Sequence, residues 1–205
     1  DRYNGEARLN RSLPLNRLTK LGPDVAEVLA RYSKGPLFLN GLTTLSVEAA
    51  KSLAQKKGWG LYVNGLTTID ADTGRGLAEF NGFLSLNGLP TLSVEAAHAL
   101  AQHKGHLLSL NGLASLSEEA AKALAEYAGS LDLNGLPSLS ADVAKALFGG
   151  HIGYLSLGRL ERLDAHAVAA LSSFKGNGLS LDGLQALDVH VARALVNITS
   201  DQRKY

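Results

Sequence analysis

The chain has no cysteine and no methionine. Without cysteine there is no disulfide, no thiolate nucleophile and no zinc site built on sulfur. That absence is silent on compartment, since a cysteine-free protein suits oxidising and reducing surroundings alike. Without methionine there is no initiator residue, and the chain starts at Asp1. Either a leader has been removed or this is a piece of something longer; a secreted or periplasmic location is favoured over a cytoplasmic one. Charge of one sign is also lacking, with 20 basic and 19 acidic side chains and a formal net charge of +1. A nucleic-acid or polybasic membrane surface would need a net basic footprint. No apolar run approaches the roughly 20 residues that span a bilayer. There is no phosphate-binding loop, no His-Glu-x-x-His and no Gly-x-Ser-x-Gly elbow. The sequence thus names no catalytic residue, no metal ligand set and no cofactor, and it reads as non-enzymatic.

What is present is a phrase, Leu-x-Leu-Asn-Gly-Leu-x-x-Leu, recurring every 23 or 24 residues. Clear copies start at Leu37, Leu61, Leu84, Leu108 and Leu131, and looser ones at Leu13, Leu155 and Leu179. A fixed period of this size marks a stacked repeat protein, because a unit too short to bury its own core must rest on its neighbours. The paired leucines, such as Leu37 and Leu39, point to one side of a short strand. An Asn column follows (Asn16, Asn40, Asn64, Asn87, Asn111, Asn134, then Gly158 and Asp182), usually with Gly next. Asn-Gly is a strong hairpin signal, but no second alternating strand of useful length follows it. A helix start comes instead.

That start is written in columns. Ser46, Asp70, Ser93, Ser117, Ser140, Asp164 and Asp188 offer a side-chain oxygen to unpaired backbone N–H groups, with Gly22 the exception. Acids two residues on, such as Glu48 and Asp142, sit at the positive end of the helix dipole. A small residue stands four past the cap (Ala50, Ala97, Ala121). Leu stands seven past it in all units, from Leu29 and Leu53 to Leu171 and Leu195. Together these predict one buried stripe on a helix of about three turns, ended by a glycine such as Gly35, Gly105 or Gly129. Strands reached by the same helical crossover run parallel. Eight of them, about 4.8 Å apart, make a sheet roughly 34 Å wide. Helices are wider than strands, so the sheet side curves inward.

From about Leu13 to Asn197 the chain resembles the leucine-rich repeat family, on its Leu-x-Leu strand, the Asn after it, two further Leu positions and the helical return. The family's usual Asn lies three places after the second strand Leu; here that place holds Leu42, Leu66, Leu89, Leu113 or Leu136. This is a variant subtype, and the sequence leaves open whether its own Asn column is buried or exposed. The expected fold class is α/β: a leucine-rich-repeat-like solenoid with a curved parallel sheet on the concave side and helices on the convex side. Residues 1–12 form an N-terminal cap or extension, residues 13–197 eight repeat units, and residues 198–205 a polar tail.

Function is read from the strand positions that face the open side. Phe38, Tyr62 and Phe83 make the first half of that face aromatic, whereas Ser85, Ser109, Asp132, Ser156 and Ser180 make the second half small and polar. Exposed aromatics are enriched where partners dock. Phe38, Tyr62 and Phe83 are therefore the candidate ligand-binding residues, for a protein or peptide partner, with residues 1–12 long enough to cover them instead. The alternative is a structural element that stacks end to end as a homo-oligomer, or a fragment of a longer array. Three irregularities stand apart: Gly74 and Gly76 inside one helix, which should be the softest; a His cluster at His98, His103 and His106; and His166 with His190 one repeat apart. Solvated helix-face histidines are the simpler reading of both His groups. Acid–base pairs at i,i+3 (Glu48 and Lys51, Asp72 and Arg75, Glu119 and Lys122, Asp142 and Lys145) should keep the convex face soluble.

Overall fold

The computed structural model describes residues 11–201, with side chains as far as Val196. Eight strands form one open sheet in sequence order, every neighbouring pair parallel. The strands are β1 (Leu13–Pro14), β2 (Leu37–Phe38), β3 (Gly60–Tyr62), β4 (Phe83–Ser85), β5 (Leu107–Ser109), β6 (Ser130–Asp132), β7 (Tyr154–Ser156) and β8 (Gly178–Ser180). Between and after them run α1 (Pro23–Ala30), α2 (Val47–Ala54), α3 (Ala71–Ala78), α4 (Val94–Ala101), α5 (Glu118–Leu124), α6 (Ala141–Gly149), α7 (Ala165–Leu171) and α8 (Val189–Asp201). The last helix thus passes the expected unit end at residue 197. The fold is a curved α/β solenoid, with the narrow strand layer on the concave side and the wider helix layer on the convex side. Among the described residues no antiparallel hairpin forms at the Asn-Gly steps.

Register follows the repeat. Leu37, Leu61, Leu84, Leu108, Leu131 and Leu155 pair in one unbroken row, and each is fully buried. Leu53, Leu77, Leu100, Leu124, Leu147 and Leu171, from the helix layer, meet them with no exposed surface. A helical Leu column packed on a strand Leu row is the centre of the core, which the second strand leucines (Leu39, Leu86, Leu110, Leu133) and the leucines after the turn (Leu42, Leu66, Leu89, Leu113, Leu136) extend.

Helix starts fall where the cap column puts them. Ser46, Ser93, Ser117 and Ser140 each accept a hydrogen bond from the N–H three residues on, at 3.2–3.3 Å. Asp70 and Asp164 do the same at 2.7 Å, and the donated N–H of Thr73 holds the Asp70 carboxyl below its usual range. Two expectations are corrected. From α1 to α7 the helices have 7–9 residues, about two turns rather than three, because the chain leaves the helix just after the Leu column. The glycines beyond are not left-handed caps either. Among the described residues only Gly58 has a positive φ, of 119°, while Arg31, Gln55 and Ala125 close their helices in right-handed geometry. Closeness is what demands glycine there: a Cβ on Gly105 would lie 2.0 Å from the carbonyl oxygen of Gly82 one unit earlier.

Helix-to-helix packing uses three small columns, not one. Residues three and six past the cap, such as Ala96 with Ala99 and Ala120 with Ala123, are buried alongside the column at four. Gly76 belongs to this set, since a Cβ there would come within 3.1 Å of the Cβ of Ala50 on α2; Gly74 faces Ala99 on α4 in the same way, at 3.2 Å. The glycines that cost α3 helix propensity also let it pack tightly on both neighbours.

Candidate binding face

Parallel register carries Phe38 to Tyr62, and the three candidate residues meet. The Phe38 and Tyr62 rings stack with centroids 4.2 Å apart and planes 17° from parallel. Phe83 meets Tyr62 edge-on at 5.0 Å and 87°. Phe83 is in register with Gly60, two residues before Tyr62, so this contact needs the tyrosine ring to fold back along its own strand. Gly60 makes that possible: a Cβ there would sit 2.9 Å from Tyr62 Cε2 and 3.7 Å from Phe83 Cδ1. The strip is half-buried, and partial burial raises the pKa of the Tyr62 hydroxyl. The expected cover, residues 1–12, lies outside the described residues up to position 10.

The second half of the face differs from its sequence reading. Ser85, Ser109 and Ser156 point to the concave side but are buried, with 1%, 1% and 8% of their surface exposed. Each hydroxyl donates to the Asn of the preceding unit: Ser85 to Asn64, Ser109 to Asn87 and Ser156 to Asn134, at 2.7–2.8 Å. The same Asn oxygens accept the backbone N–H of the next unit's Asn position, from Asn87 N–H on Asn64 at 2.8 Å to Gly158 N–H on Asn134 at 2.6 Å. The Asn column is thus a half-buried ladder running across the units. Its glycines are explained with it, since a Cβ on Gly88 or Gly112 would lie 2.0 Å from the preceding Asn carbonyl oxygen. Asp132 is the break. It takes a Ser position, and Asn111 then donates from Nδ2 to Ser109 at 3.0 Å instead.

A second column, three residues past the helix Leu, went unread. Tyr32, Lys56, Phe80, His103, Tyr127 and Phe174 occupy it, and its large side chains were the visible signal. Those with polar tips cap a carbonyl one unit back. Lys56 Nζ donates to Gly35 at 2.9 Å, Tyr127 to Gly105 at 2.8 Å, and Tyr32 to Arg11. His103 lies 3.0 Å from the Gly82 oxygen through Nε2; because a carbonyl only accepts, Nε2 carries the proton. Nδ1 is buried with no partner, and burial drives the ring's pKa below 6.5.

The sign of the pH effect follows. As pH falls through about 6.5, the unfolded chain takes up this proton before the folded one does, so stability is complete above that pH and declines below it. The urea midpoint should therefore drop between neutral pH and about pH 5.5, and His103→Phe, which copies Phe80, should lose most of that drop. Equal drops in both proteins would place the effect elsewhere.

The other histidines do not gather. His98, His106, His151, His166 and His190 are exposed, and among the described residues no group of three or more His, Cys, Asp or Glu side chains is placed to hold a metal ion. Of the expected i,i+3 pairs, Asp72–Arg75 forms an ion pair, while Lys122 turns to Glu118 at i,i+4. On the convex side a depression lined by Ala30, Arg31, Lys51, Gln55 and Lys57 lies open to solvent, and Arg31 there is paired with Glu27. Among the described residues no helix is long and apolar enough to cross a membrane.

No protein-family model matches the chain, and no curated protein matches it. Fold and site together define a class: an open repeat solenoid of parallel strands and short helices, with an aromatic strip on its sheet face.

Proposed function

We propose that the chain is a non-enzymatic protein- or peptide-binding repeat module, a variant of the leucine-rich repeat architecture, that takes its partner on the concave sheet through Phe38, Tyr62 and Phe83. The observation that carries this reading is the three-ring contact across the two outward rows. A sheet face whose Ser85, Ser109 and Ser156 hydroxyls are taken up by the Asn column has no folding reason to gather half-exposed rings in one place. Rigid aromatic anchors supply much of the energy in many protein interfaces. Carboxylates support the same reading, being spread along the helix starts by the repeat rather than converging on a cleft.

The test is capture from the source organism's own extract, followed by affinity measurement on the purified partner. Tyr62→Ala should weaken binding by about 2 kcal/mol or more, while its melting temperature falls much less than for a core truncation. A large stability loss with affinity intact would make the rings core rather than contact.

End-to-end self-association is the second reading, and one observation favours it. Val25 and Val28 stand in the columns that later helices pack against the preceding one, yet they are 53% and 63% exposed. Val196, on the opposite side of α8, is 64% exposed. Mass in solution across a concentration series separates the two readings.

A further inference from the structure

The binding reading of the concave face leaves its partner's chemistry unspecified, and the inference here rests on that reading. Asp132 is the single charged side chain, among the described residues, in the two outward rows of the sheet. Its register neighbours are Ser109 and Ser156, so the row would by its own pattern place serine there. A serine would join the Asn–Ser lattice. The carboxylate instead is half-buried, has no hydrogen-bond or ion-pair partner among the described residues, and is pushed toward its neutral form by burial. The ring of Tyr154 on the adjacent strand leans away, over Gly178, where a Cβ would meet it at 2.6 Å. Nothing among the described residues compensates this charge, and a local cost without local return is the mark of a position kept for a partner.

We propose that Asp132 receives the cationic side chain, Lys or Arg, of an extended peptide segment whose apolar residue rests on the Phe38–Tyr62–Phe83 strip. The spacing is set by the sheet. From β4 to β6 is two strand intervals and from β3 to β6 three, about 10–14 Å. An extended segment advances about 3.3 Å per residue, so the basic residue lies three or four positions from the apolar one. Charge selects the class of partner. A phosphate backbone or an acidic segment would meet an unpaired carboxylate and no compensating cation on this surface, and like charge across an interface is strongly unfavourable. A metal ion would find one carboxylate among hydroxyls already committed to the Asn column.

The test is selection of a displayed random peptide library against the full chain, with peptides of about 12 residues, enough to cross the sheet of roughly 34 Å. Enriched peptides should carry Lys or Arg three or four positions from an aromatic or branched apolar residue. They should bind Asp132→Asn about tenfold or more weakly at low salt, and this difference should shrink at high salt. Tyr62→Ala should weaken the same peptides. Asp132→Ser restores the residue of the neighbouring units and should melt no lower than the parent while losing the basic preference; a clearly lower melting temperature would overturn the inference by giving Asp132 a folding role. Peptides that need Tyr62 but are indifferent to Asp132→Asn would overturn it and leave the binding face standing. Peptides indifferent to both substitutions, or no enrichment at all, would overturn both.

Discussion

Leu124→Ala should lose about 2–5 kcal/mol of stability, as truncations of buried leucine do, and Leu100→Ala should match it. Both side chains are fully buried at the position seven past the cap. There the helix layer closes on the strand Leu row from its own unit and its neighbours. A cavity opened in a middle unit is bounded on both sides by well-packed repeats, so little collapse can fill it. Lys122→Ala and Glu119→Ala, on the solvent side of the same helix, should leave the denaturant midpoint essentially where it was, because exposed ion pairs contribute little. Comparable losses in the leucine and lysine variants would mean that the inward and outward faces are misassigned.

Asn87→Ala should cost about 2–6 kcal/mol, from two donors left without acceptors at about 1–3 kcal/mol each. The Asn87 oxygen accepts the Asn111 N–H and the Ser109 hydroxyl, both at 2.8 Å, in the half-buried ladder that ties one turn to the next. Asn87→Asp keeps the acceptor and should lose less; the last unit already uses Asp182 here, accepting from Ser180 at 2.7 Å. Asn16→Ala is the internal control, since Asn16 is exposed and its single bond to the Asn40 N–H is longer, at 3.3 Å. Urea melts of the three variants decide the matter. If the substitution at Asn87 costs no more than that at Asn16, the ladder is an ornament of the turns and not part of what holds the units together.

Much of this architecture was legible from period alone. A cap at Ser93 and a leucine at Leu100 fix which way a helix faces, and eight copies in one phase fix a parallel stack. The aromatic strip was legible too, because outward positions on a strand are set by alternation and Phe38, Tyr62 and Phe83 fall on them. What escaped reading lies between units rather than within them. Ser109 looks like a free surface serine in its own unit; only the Asn87 oxygen across the stack shows that its hydroxyl is already used. Gly105 and Gly112 look like ordinary turn glycines, yet they are required by backbone from the preceding unit, more than 20 residues away in sequence. His103 reads as one of a surface cluster until the Gly82 carbonyl is brought beneath it. Asp132 was visible as an outward acid, but its lack of a partner could be recognised only against the bonded serines on either side.

The most direct test of the binding-face account is whether the strip is open to solvent. The chain has five phenylalanines: Phe38 and Phe83 on the strip, and Phe80, Phe148 and Phe174 in the core, at 0%, 0% and 6% exposure. Fluorine NMR of fluorophenylalanine-labelled protein, with resonances assigned by single substitution and a soluble paramagnetic chelate added, reads all five together. Broadening of Phe38 and Phe83, with Phe80, Phe148 and Phe174 unaffected, is the result the account predicts. Five resonances equally protected would contradict it, because the aromatic strip would then be covered surface with no room for a partner.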